Sequence, residues 1–150
     1  MSFVTLEEIV KFAVEREEAA YQLYKRAAET SKSIAARKMF EEMAAEEQGH
    51  KEVFGKMDLA RAEHYRAISL PDLKIGQYLV SVPLKPEMSY QEILIYAMKA
   101  EENAFQLYQA TAAEVDDPQL KNVLLVFADV EKGHKIKLEN LYDEHVLTEN

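Results

Sequence analysis

The sequence predicts an all-α fold: a four-helix bundle made of two copies of one helical hairpin, joined by a long crossover. Three observations predict it. Strong helix formers dominate the composition, while Gly and Pro number only four each, so breaks are few and elements long. The chain also repeats itself. Shifted by 84 residues, 5–58 aligns with 89–142 without a gap, and 15 of the 54 positions are identical. "EEAAYQLY" (17–24) lies over "EENAFQLY" (101–108), and "EEQGHK" (46–51) over "VEKGHK" (130–135). Finally, apolar residues recur at i, i+3, i+4 and i+7 through four segments, the signature of amphipathic helices.

Each hairpin opens on a helix-start signal. Thr5 with Glu8, and Ser89 with Glu92, have the Ser/Thr-x-x-Glu spacing of a capping box. The break inside each hairpin repeats as well: Ser33 and Ile34 lie over Asp117 and Pro118. Asp followed by Pro is a strong start, an N-cap ahead of proline in the first turn. These signals predict helices over about 6–31, 34–63, 90–115 and 118–143, with repeat units of about 5–63 and 89–143 in one domain of 1–150. Between the units, "ISLPDLKIGQYLVSVPLKPEM" (68–88) holds all but one of the prolines and breaks the helical period. It forms most of a crossover of about 64–88, apolar enough to pack on the bundle and long enough for a short helical turn.

Composition excludes several function classes. A net charge of −9 without a basic stripe argues against nucleic-acid binding. The N-terminal segment "MSFVTLEEIVKF" lacks the basic flank and apolar run of a signal peptide. No segment reaches the roughly 20 apolar residues of a membrane span, so a cytoplasmic location is expected. With no cysteine in the chain, any metal here is held by Glu, Asp and His.

The helical period assigns a core face to each element. Helix 1 presents Leu6, Val10, Ala13, Glu17, Ala20, Tyr24 and Ala28. Helix 2 presents Phe40, Met43, Glu47, His50, Phe54 and Met57. Helix 3 presents Leu94, Ala97, Glu101, Ala104, Tyr108 and Ala112. Helix 4 presents Leu120, Leu124, Phe127, Glu131, His134, Leu138 and Leu141. Each face is apolar except near its middle, where it carries one Glu, or a Glu and a His one turn apart.

Four carboxylates converging in an apolar bundle repel one another, and each costs several kcal/mol to desolvate, roughly. Lys and Arg fall mostly on other faces, so no arginine is expected to compensate. Two divalent cations would balance the four charges, and two histidines would add one nitrogen ligand to each. Residues i and i+3 project to the same side, so Glu-x-x-His can offer an oxygen and a nitrogen to one ion. Oxygen and imidazole donors without thiolate suit iron or manganese, with zinc as a further alternative.

The neighbours read differently. Glu18, Glu46 and Glu102 are expected to be solvated charges, and His64 and His145, which have no repeat partner, surface residues. Met39, Met43, Met57 and Met98 read as core filler. Gly49 and Gly133 are unusual inside helices, where Gly costs about 1 kcal/mol against Ala; close helix approach or room for a neighbouring side chain would explain them.

Glu17-x-x-Ala20-x-x-x-Tyr24, Glu47-x-x-His50, Glu101-x-x-Ala104-x-x-x-Tyr108 and Glu131-x-x-His134 resemble the metal motifs of ferritin-like di-iron carboxylate proteins, the rubrerythrin-like branch above all. The resemblance spans nearly the whole chain apart from the crossover. It implies a ferritin-like bundle holding two metal ions, iron above all. Glu17, Glu47 and His50 would serve mostly one ion, and Glu101, Glu131 and His134 mostly the other, with Glu47 and Glu131 bridging. Tyr24 and Tyr108 would orient the carboxylates, and no catalytic residue is implied beyond the ligands.

The implied activity is oxidoreduction with hydrogen peroxide or dioxygen in oxidative-stress defence, supplied by an external electron donor, in a chain able to form a homodimer. Two departures bear on it. No cysteine is present for the rubredoxin domain that rubrerythrins usually carry. Ala104, with Ala20 as its helix-1 equivalent, stands where they place an extra glutamate. The alternatives are a non-catalytic iron- or metal-binding or sequestration protein, and a helical interaction module with a vestigial site.

Overall fold

The computed structural model describes residues 3–4, 6–57, 68–69 and 87–149. Four helices account for nearly all of them: α1 (Leu6–Thr30), α2 (Ile34–Gly55), α3 (Tyr90–Glu114) and α4 (Pro118–Glu149). The remaining regular structure is a two-residue antiparallel ladder of β1 (Phe3–Val4) with β2 (Ile68–Ser69), pairing Phe3 with Ser69 and Val4 with Ile68. This ladder was not predicted, and it ties part of the crossover to the start of the chain. Thr5, the rest of the crossover and His64 lie outside the described residues.

The helix starts follow the local chemistry. Ser89 accepts from the Glu92 backbone at 3.1 Å while the Glu92 side chain accepts from the Ser89 N–H at 3.3 Å, the reciprocal capping box. The Ser33 hydroxyl accepts from the Ala36 N–H, and the Asp117 carboxylate from the Leu120 N–H. The ends depart more. Expected to reach 63, α2 stops at Gly55, with Lys56 as its C-cap; residues 58–63 lie outside the described set. Its repeat partner α4 passes the equivalent position, Glu139, and runs to Glu149 instead of 143. "YDEHVLTE" contains no Gly or Pro to stop it.

Two apolar layers fill the bundle. One joins the first half of α1 (Leu6, Ile9, Val10, Ala13), Phe54 near the end of α2, the second half of α3 (Leu107, Tyr108) and the start of α4 (Leu120, Leu124). The other joins the second half of α1 (Leu23, Tyr24), the first half of α2 (Phe40, Met43), the start of α3 (Ile93, Leu94) and Leu138 and Leu141 of α4. Hence α1 and α4 run one way, and α2 and α3 the other. Because α2 and α3 are parallel, a short turn cannot join them, and the long crossover is required. The hairpins α1–α2 and α3–α4 pack most extensively, and α1 also meets α3. No helix among the described residues is long and apolar enough to cross a membrane.

Candidate metal centre

Between the two apolar layers lies a polar one. Glu17, Glu47, Glu101 and Glu131 are each 0 % exposed, and His50 and His134 are buried with them. The helical period explains the placement. Glu17 follows Ala13 by one turn and precedes Ala20, and Glu101 sits likewise between Ala97 and Ala104, all four alanines being buried. Small neighbours leave the middle of the bundle to the carboxylates. On α2 and α4, the Glu-x-x-His pairs turn both groups inward.

Two overlapping groups form. Glu17, Glu47, His50 and Glu131 place one ligand atom each within 4.8 Å of one another, and so do Glu47, Glu101, Glu131 and His134. Ligands about 2.0–2.2 Å from an ion lie up to about 4.4 Å apart, so small side-chain shifts close either group on a cation. Glu47 and Glu131 belong to both. The donors also lack better partners: Glu17 Oε2, Glu47 Oε1, Glu101 Oε2, both oxygens of Glu131, and Nδ1 of both histidines make no well-directed hydrogen bond. Buried polar atoms are rarely left that way. Both histidines turn Nδ1 inward, His50 to 3.1 Å from Glu131 Oε1 and His134 to 3.0 Å from Glu47 Oε1.

The tyrosines cross between the repeats. Tyr108 donates to Glu17 Oε1 at 2.6 Å, and Tyr24 donates to Glu101. A hydroxyl from each hairpin thus fixes a carboxylate of the other. At the rim, two ion pairs obey the same symmetry: Lys51 bonds Glu18 at 3.2 Å, and Lys135 bonds Glu102 at 3.1 Å. Gln22 and Gln106 donate to the same two glutamates. These are paired charges rather than merely solvated ones.

Arg16 corrects the expectation that no arginine compensates the carboxylates. Its Nη1 lies 3.1 Å from Glu17 Oε1, 2.6 Å from Glu47 Oε2 and 2.8 Å from Glu131 Oε2, and its Nη2 lies 3.1 Å from Glu101 Oε1. The residue sits beside the core face of α1, and a long flexible stem carries the guanidinium in. Helical phase alone cannot see that reach. The signal available was the repeat, in which the matching position is Ala100.

Glu46 is a second correction. It is exposed, yet its Oε2 lies 3.3 Å from His134 Nε2, leaving that ring anchored on its outer side while Nδ1 faces the cluster. Among the described residues His50 has no such partner, since Val130 matches Glu46; its ring stacks on Phe127 at 4.0 Å instead. His145 is half-buried against the Tyr90 ring, 5.2 Å away, rather than a plain surface residue. Gly49 and Gly133 do not serve close packing: an added Cβ would meet nothing within 4 Å at either.

One guanidinium cannot balance four buried carboxylates, and the acidities divide accordingly. Burial and the Glu101 charge push Glu47 up to about 7 despite Arg16. Burial lifts Glu131 well above the carboxylate range, again against Arg16. For Glu101, burial is outweighed by Arg16, with the neighbouring Glu131 and His134 adding to it, and the group is held down at about 2. Glu17 is likewise lowered, Arg16 and His50 overcoming burial. His134 rises to about 10, because Glu101 and Glu47 outweigh the burial that would lower it. Burial beside these carboxylates raises both Tyr24 and Tyr108 well above 10, so both remain proton donors.

Comparison with known proteins agrees with this layout. A family model described as rubrerythrin matches residues 4–78 and 92–150. A solved structure of a hypothetical protein from Pyrococcus furiosus superposes with a TM-score of 0.73 at 25 % identity, covering 93 % of this chain and 89 % of its own. None of the curated proteins matches the chain.

Proposed function

Because the chain belongs to the rubrerythrin family, we propose that it is a di-iron carboxylate protein that reacts with hydrogen peroxide or dioxygen. The observation that carries this reading is the convergence of four glutamates and two histidines into two overlapping buried ligand groups. Glu17 and His50 would complete one side, Glu101 and His134 the other, with Glu47 and Glu131 reaching both. A pair of iron ions, when bound, supplies the electrons that reduce an oxidant.

The chain's own residues do the rest. Tyr108 and Tyr24 hold Glu17 and Glu101 in place, and Glu46 fixes the ring of His134. The apolar layers on either side exclude bulk water and strengthen every charge interaction between them. Glu47 and Glu131 hold their protons more tightly than ordinary carboxylates, so ion binding would release protons.

A second reading, metal holding without turnover, is favoured by one feature. Ala104 is buried where a rubrerythrin peroxidase would place its additional glutamate, and its helix-1 equivalent, Ala20, is buried too. Without cysteine in the chain, reduction would depend on a separate donor in either case. The test is anaerobic reconstitution with Fe²⁺ followed by elemental analysis and rapid mixing with peroxide. About two irons per chain and fast oxidation support the enzyme reading. Two irons inert to peroxide and oxygen leave metal holding without turnover, and absence of bound iron, manganese or zinc refutes both.

A further inference from the structure

We propose that Arg16 and a metal ion compete for the same three carboxylates, which makes the two halves of the site load unequally, the His50 half last. The inference rests on the two-metal reading above. Its ground is where the guanidinium lies. Nη1 is within 3.1 Å of oxygens of Glu17, Glu47 and Glu131, three of the four residues that make the His50 group. A nitrogen that close to three carboxylates occupies the volume an ion would take. The His134 group shares Glu47 and Glu131 with the His50 group, so Nη1 borders it as well; the difference is its own glutamate, Glu101, which meets Nη2, at 3.1 Å, so no one nitrogen sits among all three of its carboxylates.

Three further observations point the same way. Arg16 makes one hydrogen bond, from Nη1 to Glu47 Oε2 at 2.6 Å, while Nε and Nη2 make no well-directed one, so the guanidinium is held largely by charge rather than by a fitted fork, and charge is what a divalent ion outcompetes. The side chain retains 10 % exposure, so rotation about its own bonds can carry the head outward without disturbing α1. The residue also breaks the repeat. Ligands, tyrosines and rim ion pairs all have partners 84 residues away, whereas Arg16 faces Ala100. Among the described residues no second arginine reaches the cluster, and Glu46 anchors His134 but not His50.

The experiment is calorimetric titration of the full chain, dialysed against chelator, with Zn²⁺. Wild type should bind two ions in separable steps. Arg16→Gln should tighten the weaker step at least about tenfold and bring the two together, while lowering the melting temperature of the chelated protein, which loses its internal cation. Arg16→Lys, which keeps the charge, should stay closer to wild type. A merely structural arginine would lower melting temperature and zinc affinity together.

Should Arg16→Gln fail to fold, the wild type decides by nitrogen-15 NMR. The Arg16 Nε–H should be protected from solvent exchange under chelator, keep most of that protection at one equivalent of Zn²⁺, and lose it at the second. Two ions bound by wild type with Arg16→Gln unchanged or weaker, or an Nε–H indifferent to Zn²⁺, overturns the competition and leaves the two-metal site standing. No Zn²⁺ bound by any of the proteins overturns the two-metal reading itself.

Discussion

Replacing Tyr108 with Phe removes one oxygen and little else. That hydroxyl donates to Glu17 Oε1 at 2.6 Å, with both groups buried. The ring keeps its packing on Phe54, 5.4 Å between centroids. A hydrogen bond to a charged group contributes about 1.5–3 kcal/mol, and here no water can replace the donor. Arg16 Nη1, 3.1 Å from the same oxygen, keeps Glu17 partly compensated and places the loss at the low end, about 1.5–2 kcal/mol. For a chain of this length each kcal/mol moves the melting temperature by about 2–4 °C, so Tyr108→Phe should melt about 3–8 °C lower. The assay is thermal and urea denaturation of the chelated protein, with a double-mutant cycle against Glu17→Gln to isolate the pair. The expected coupling is about 1 kcal/mol or more. A loss below about 0.5 kcal/mol, or additivity in the cycle, would refute the claim that this bond couples the two repeats.

Other predictions follow from the same geometry. Glu131→Ala should abolish tight binding of both ions by elemental analysis, whereas Glu101→Ala should spare part of the His50 half, because only Glu47 and Glu131 belong to both groups. Glu46→Ala should weaken metal binding about 10- to 100-fold in chelator competition through its contact with His134; Glu42→Ala, exposed on the same helix, is the control and should not. Gly49→Ala and Gly133→Ala should each stabilise the protein by about 1 kcal/mol in urea titrations, since a Cβ meets nothing there. A destabilised variant would show that those faces are covered in solution.

The six proposed ligands were legible because each depends on helical phase, and phase is local. Glu47 and His50 face the core for the same reason as Met43 and Phe54, and the repeat supplied a second copy against which to check. Glu46 was misjudged because its own helix face is exposed, while the group it touches, His134, sits 88 positions away on α4. The end of α4 was misplaced because nothing local marks it: Glu144 to Glu149 contain no Gly or Pro, and a helix without a breaker continues.

What the sequence determined by itself was the set of inward-facing groups: four carboxylates, two imidazoles and two phenols, repeated at one spacing and fixed by a 3.6-residue period. What only the tertiary structure decided was which of them meet. Antiparallel packing of α1 on α3 sends Tyr24 to Glu101 and Tyr108 to Glu17, so the hydroxyls bond across the repeats rather than within them. It also decided that Arg16, one position off the core face, ends among all four carboxylates. A long charged side chain goes where the field of the assembled helices draws it, and that field does not exist until the helices meet.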